Sequence, residues 1–146
     1  MAITSAVCTS FKVELLKGVH NFTATTGNTF KIALYTSDAT LGASTTAYST
    51  SNEITNTSGT AYTAAGATLT SVTPVASSTT AVCDFSDVSY TDATFTANGC
   101  LIYNDSASGD PACDVVAFGA DKTVTSGTFT IQFPTANATD AIIRLA

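Results

Sequence analysis

In TFTIQF, Phe129, Ile131 and Phe133 alternate with Thr128, Thr130 and Gln132, and in TFKIALY, Phe30, Ile32 and Leu34 alternate with Lys31, Ala33 and Tyr35. A period of two places one set of side chains on each face of an extended chain, which is the pattern of a half-buried strand and not of a helix. The same kind of short run recurs along the sequence. ATLTSVTPV, from Ala67 to Val75, sets Leu69 between polar neighbours, and Pro74 confines its end to an edge or a bulge. TTAVCDFSDVSY, from Thr79 to Tyr90, loses its phase around Asp84 to Asp87, which implies a bend or two shorter strands. CDVVAF from Cys113 to Phe118 and AIIRLA from Ala141 to Ala146 complete the set. In ATFTANGCLIYND, Asn98-Gly99 is the strongest hairpin signal in the chain, with one long strand bulged at the glycine as the competing reading.

About eight strands separated by Gly, Asn, Asp and Ser clusters, without intervening helical periods, predict an all-β antiparallel sandwich of the jelly-roll type. Residues 1–146 are expected to form one domain. An immunoglobulin-type sandwich is disfavoured because the chain has no Trp. One segment breaks the β pattern. Ser10 is a candidate N-cap, Phe11, Leu15 and Val19 share a helical face, and Gly18 favours termination, so a short helix is predicted over residues 10–19. Residues 1–9 are read as an extended arm. The stretch 37–66 carries no strong strand pattern and is read as a long loop or edge region that contacts a neighbouring molecule.

Charge narrows the functional classes. Only 11% of the residues are charged, against about 25% in an ordinary soluble domain. Thr and Ser together number 44. No charged residue occurs between Ala39 and Asn52, or from Ile54 to Cys83. A chain so poor in charge is expected to work in contact with other protein, with that uncharged, Thr-rich stretch as its contact surface. The net charge of -6 provides no basic stripe for phosphates, so nucleic acid is not an expected partner. The opening MAITSAVCTSFKVELLKG lacks the cationic region and apolar run of about 7 to 15 residues of a secretory signal. No stretch reaches the roughly 18 apolar residues that span a bilayer. Synthesis in the cytoplasm and no membrane partner are the expectations.

Candidate chemistry is sparse. Cys8, Cys83, Cys100 and Cys113 are spread singly with no C-x-x-C, and without a secretory signal they read as reduced, buried thiols, although three pairings into two disulfides are arithmetically possible. His20 is the only histidine and reads as a capping or packing residue. Asp84, Asp87, Asp92, Asp105, Asp110 and Asp114 could gather at one end of a sandwich and hold Ca²⁺, but no EF-hand spacing supports it and solvated loop charges are the plainer reading. Tyr35, Tyr48, Tyr62, Tyr90 and Tyr103 could line a carbohydrate groove, though packing is the commoner role. No G-x-S-x-G occurs. Neither an enzyme, nor a metal, nor a cofactor is expected, and no catalytic or binding residue is assigned.

FKVELLKGVHNF, TFKIALYTS, LIYND and FGADKTVTSGTFTIQFPTANATDAIIRLA, in this order, resemble a family of small virion structural proteins of tailed bacteriophages. Within such phages, a jelly-roll protein of this size is similar to capsid cement or decoration proteins. The resemblance implies a place on the outer capsid surface, the major capsid protein as partner, and a homo-oligomer, dimer or trimer. A minor tail or receptor-binding, carbohydrate-binding module of the virion is the alternative. The resemblance supplies no catalytic residue. The arm Met1 to Thr9 and the stretch Ser37 to Gly66 are the segments expected to reach neighbouring subunits.

Overall fold

Phe30–Tyr35, the run with the clearest alternation, becomes a central strand, but one buried on both faces and not half-buried as its alternation implied, since Ala33 and Tyr35 are buried as fully as Phe30, Ile32 and Leu34. In the computed structural model, which describes residues 2–55 and 59–146, the elements in chain order are β1 (Ala6–Val7), α1 (Thr9–Leu16), β2 (Phe30–Tyr35), β3 (Ala67–Thr68), β4 (Ser71–Ser77), β5 (Thr80–Phe85), β6 (Val88–Asn104), β7 (Ala112–Ile131) and β8 (Ile143–Leu145). They form a five-stranded sheet in the order β1-β7-β6-β2-β3 and a three-stranded sheet in the order β4-β5-β8, with antiparallel pairing throughout. The fold is an all-β antiparallel sandwich with one short helix, its two layers unequal and not closed into a barrel.

Aromatic rings join the layers. Phe30 on β2 stacks on Phe22 with centroids 4.2 Å apart, and both approach Phe85 of β5 at 6.0 and 6.2 Å. Phe11 of α1 meets Phe22 edge-on at 5.9 Å, so the helix is sealed onto the same cluster. A second cluster, Tyr62, Tyr90, Phe95 and Phe129, lies under the far half of the β6/β7 hairpin. Rings in offset or edge contact add to the energy of area burial, so the first cluster fixes how the layers sit and the second packs a loop residue, Tyr62, onto β6 and β7.

The sequence-derived boundaries change in four places. Asn98-Gly99 is not a turn, and the competing reading of one long strand with an irregularity at the glycine holds: β6 runs through it, and the register with β7 shifts between Ala97 and Gly99. The glycine is required for close approach, since a Cβ there would lie 2.7 Å from the Ile3 side chain and 2.8 Å from the Val116 carbonyl oxygen. CDVVAF and TFTIQF are two parts of the single strand β7, which passes through Gly119 at φ 81° where it bends. The helix predicted over 10–19 covers Thr9–Leu16 with Cys8 at the N-cap and Lys17 at the C-cap. Ser10 is therefore inside the helix, and its buried hydroxyl has no hydrogen-bond partner.

The fourth change concerns the two segments expected to reach neighbours. Residues 2–8 are extended but lie on their own sheet: Ile3 bridges Leu41, Ala6 and Val7 pair with Val115 and Asp114, and Cys8 is buried. The stretch 37–66, of which 56–58 lie outside the described residues, also folds back. Ala47 bridges Pro111, Glu53 bridges Tyr35, and Ala39, Ile54 and Tyr62 are buried. These contacts anchor both segments on the chain's own sheets, while most of the other described residues of 37–66 keep exposed or half-buried side chains.

Other expectations match the strands directly. The phase break at Asp84 to Asp87 separates β5 from β6. Pro74 lies in β4, an edge strand, inside the register shift between Val72 and Val75.

Candidate functional site

Glu53 is the one charged residue between Ala39 and Cys83, and it is buried. Its carboxylate accepts hydrogen bonds from the Tyr48 hydroxyl at 2.6 Å, the Tyr62 hydroxyl at 2.7 Å and the Ala65 amide at 2.8 Å. Tyr62 Oη also accepts from the Leu34 amide at 3.0 Å, so the network reaches the central strand. Tyr103 closes the same region by stacking on Tyr48 at 4.7 Å and donating to the Ala65 carbonyl. Burial first, and then the adjacent carboxylate, pushes the Tyr62 and Tyr48 hydroxyls well above their ordinary range, so they remain protonated donors. The network holds the long loop onto β2 and β6.

His20 occupies a second polar node. Asn104 Nδ2 can only donate, so at 3.0 Å it makes His20 Nδ1 the acceptor, and Nε2–H then donates to Glu14 Oε2 at 2.7 Å. Asn104, fully buried, also donates to Asn28 Oδ1 and accepts from the Ser106 and Ala107 amides. Helix α1, the 20–28 loop and the 105–110 turn are thereby tied together. Cys113 Sγ lies 3.9 Å from His20 Nδ1, which sets thiol, imidazole and carboxylate in a line. The order imitates a nucleophile triad, but the sulfur is wholly buried and its thiol is pushed strongly up by burial. Desolvation disfavours the thiolate that such chemistry requires, so this node acts as a strut.

The other residues considered in the sequence are dispersed. All four cysteines are unpaired, and burial raises the thiols of Cys8 and Cys83 to about 11 and that of Cys100 to about 12. Asp84 accepts from the Phe85 amide, Asp87 from the Phe133 amide, and Asp105 lies 3.4 Å from Lys31. Among the described residues, no three His, Cys, Asp or Glu side chains form a group that could hold a metal. Tyr35, Tyr62, Tyr90 and Tyr103 are buried, so the tyrosines do not form an open carbohydrate groove.

Asp114 is 4% exposed, and burial lifts its carboxyl from 3.8 to about 7, with the Val115 amide opposing the shift. The folded protein thus holds a proton up to about pH 7 that the unfolded chain releases near pH 4. Between those values the folded state binds more protons, so this group's contribution to stability is present at low pH and is lost as pH rises. Urea unfolding of Asp114→Asn against the parent protein from pH 4 to 8 should show the variant gaining on the order of 2–4 kcal/mol relative to the parent across the interval. A difference that does not change with pH would contradict the assignment.

The surface adds one more feature. β1 covers the outer side of β7 only at Val115 and Asp114, with Ser5 Oγ accepting from the Ala117 amide. Beyond that point no strand among the described residues pairs with this side of β7. From Thr123 to Ile131 the edge carries neither charge nor proline, and Thr123, Thr125, Thr128 and Thr130 are exposed. Hydroxyl pairs cross to β6, Thr96 to Thr123 at 2.9 Å and Ser89 to Thr130 at 3.0 Å. β4 is also an edge, and Val72 and Val75 are exposed on it. Sequence reasoning missed Glu53 and the β7 edge as sites. A lone acid in a long uncharged, tyrosine-containing stretch was the available signal for the first.

Compared with known proteins, the chain matches no family model, no curated protein and no solved structure.

Proposed function

We propose that this protein is a structural subunit of a tailed-phage virion, a capsid cement or decoration protein that clamps neighbouring major capsid proteins from the outer surface and assembles as a dimer or trimer. The observation that carries the reading is the open edge of β7 from Thr123 to Ile131, a row of unpaired backbone groups flanked by threonines and free of charge. Natural sheets blunt such edges with lysine or proline unless another chain covers them. Threonine hydroxyls can bond across a contact while losing less side-chain freedom than long charged residues. The order of motifs resembling small virion proteins supplies the kind of assembly. Many copies on a lattice make individually weak contacts sufficient through avidity.

The test is Thr125→Lys combined with Thr128→Lys, placed on the exposed face of the edge. Such surface changes leave stability within about 0.5 kcal/mol. Sedimentation velocity and binding to purified shells should both show loss, with occupancy falling at least tenfold. Unchanged occupancy by a folded double variant would remove β7 from the contact.

A further inference from the structure

The geometry points to a ligand site between the two halves of β7, suited to a single-chain aliphatic carboxylate. Residues from both halves of β7, before and after Gly119, line a cleft of about 460 Å³. Ile32, Ile102 and Val116 form its floor, and Phe129, Ile131 and Phe133 form its roof. The roof residues are the alternating apolar set of TFTIQF, yet they are only half-buried, so their side chains face a space that the protein itself does not fill. Interiors are ordinarily packed without such voids, whereas ligand pockets are apolar clefts of this size with a few polar groups.

The charge at the cleft selects the ligand. Lys122 is the only charged residue lining it, joined by the polar Thr130 and Gln132. Among the described residues the ion pairs are His20 with Glu14 and Lys31 with Asp105, so the Lys122 ammonium pairs with no protein carboxylate. An apolar slot with one cation at its mouth complements an alkyl chain that ends in an anion. The chain displaces water from the aromatic roof, and the carboxylate meets Lys122.

Isothermal titration with octanoate, decanoate and decanol, each below its micellar concentration, tests the site. Each fully buried methylene contributes roughly fourfold in affinity, so decanoate should bind about fifteenfold more tightly than octanoate. Lys122→Gln should weaken decanoate about threefold and leave decanol unchanged, as a solvent-facing ion pair requires. Amide resonances of Ile32, Val116, Phe129 and Ile131 should shift together on titration while those of α1 stay fixed. Equal affinity for octanoate and decanoate, or an equal effect of Lys122→Gln on decanoate and decanol, would overturn the proposal. So would shifts of the same cleft resonances on raising the protein concentration alone, which would assign the cleft to a second copy of the chain.

Discussion

Glu53→Ala should lower the free energy of unfolding by about 3–5 kcal/mol, the range for breaking a buried, hydrogen-bonded charge network. The substitution leaves the Tyr48 and Tyr62 hydroxyls and the Ala65 amide without their acceptor, and the Tyr62 hydroxyl is itself bonded to Leu34 of the central strand. Glu53→Gln keeps one carbonyl acceptor and nearly the same volume, so it should cost less than half as much. Urea unfolding of both variants, followed by circular dichroism, measures the difference. Hydrogen exchange should also show that Glu53→Ala releases the loop before the sheets, because the loop's attachment passes through this residue. Equal, small losses for both variants would mean that the loop is held by its apolar contacts alone.

Phe30→Ala should be of similar size, about 3–5 kcal/mol, as expected for deleting a fully buried phenylalanine and leaving a cavity. Phe30 has no exposed surface and contacts three rings from two parts of the chain: Phe22 and His20 from the loop after α1, and Phe85 from the smaller sheet. Its loss should weaken the link between layers, so the denaturant slope should be checked for a departure from two-state unfolding. Leu16→Ala is the control. Leu16 is 92% exposed, and its truncation should change stability by less than about 0.5 kcal/mol. A Phe30→Ala loss no larger than this control would contradict the proposed bridge between the sheets.

The strands were legible where a local pattern carried the whole signal. TFKIALY has its apolar alternation and becomes β2, the break at Asp84 to Asp87 separates β5 from β6, and Pro74 marks an irregular edge. Asn98-Gly99 misled because its local turn preference competes with a distant requirement, the approach of Ile3 to the sheet. The extended appearance of residues 1–9 was visible, but its pairing with β7 depends on contacts more than a hundred residues away. The Ser37 to Gly66 stretch has no strand pattern because side chains hold much of it: Tyr35 donates to the Ser49 carbonyl, and Glu53 gathers Tyr48 and Tyr62. A few residues of the uncharged run, Ala39, Ile54 and Tyr62 among them, are folded inward while most of its described residues are exposed or half-buried, and a further uncharged edge lies on β7.

That edge widens where the proposed assembly contact should be sought without changing its nature. The outward face of β7, the valines of β4 and the exposed residues of 37–66 are surfaces open to a partner, whereas residues 2–8 pair with the chain's own sheet. Copy number is the most direct measurement of the central proposal. Gel densitometry of purified particles against their major capsid band should find this protein in hundreds of copies, in a fixed ratio to the shell subunit. A dozen copies or fewer per particle, or none after gradient purification, would contradict a cement role.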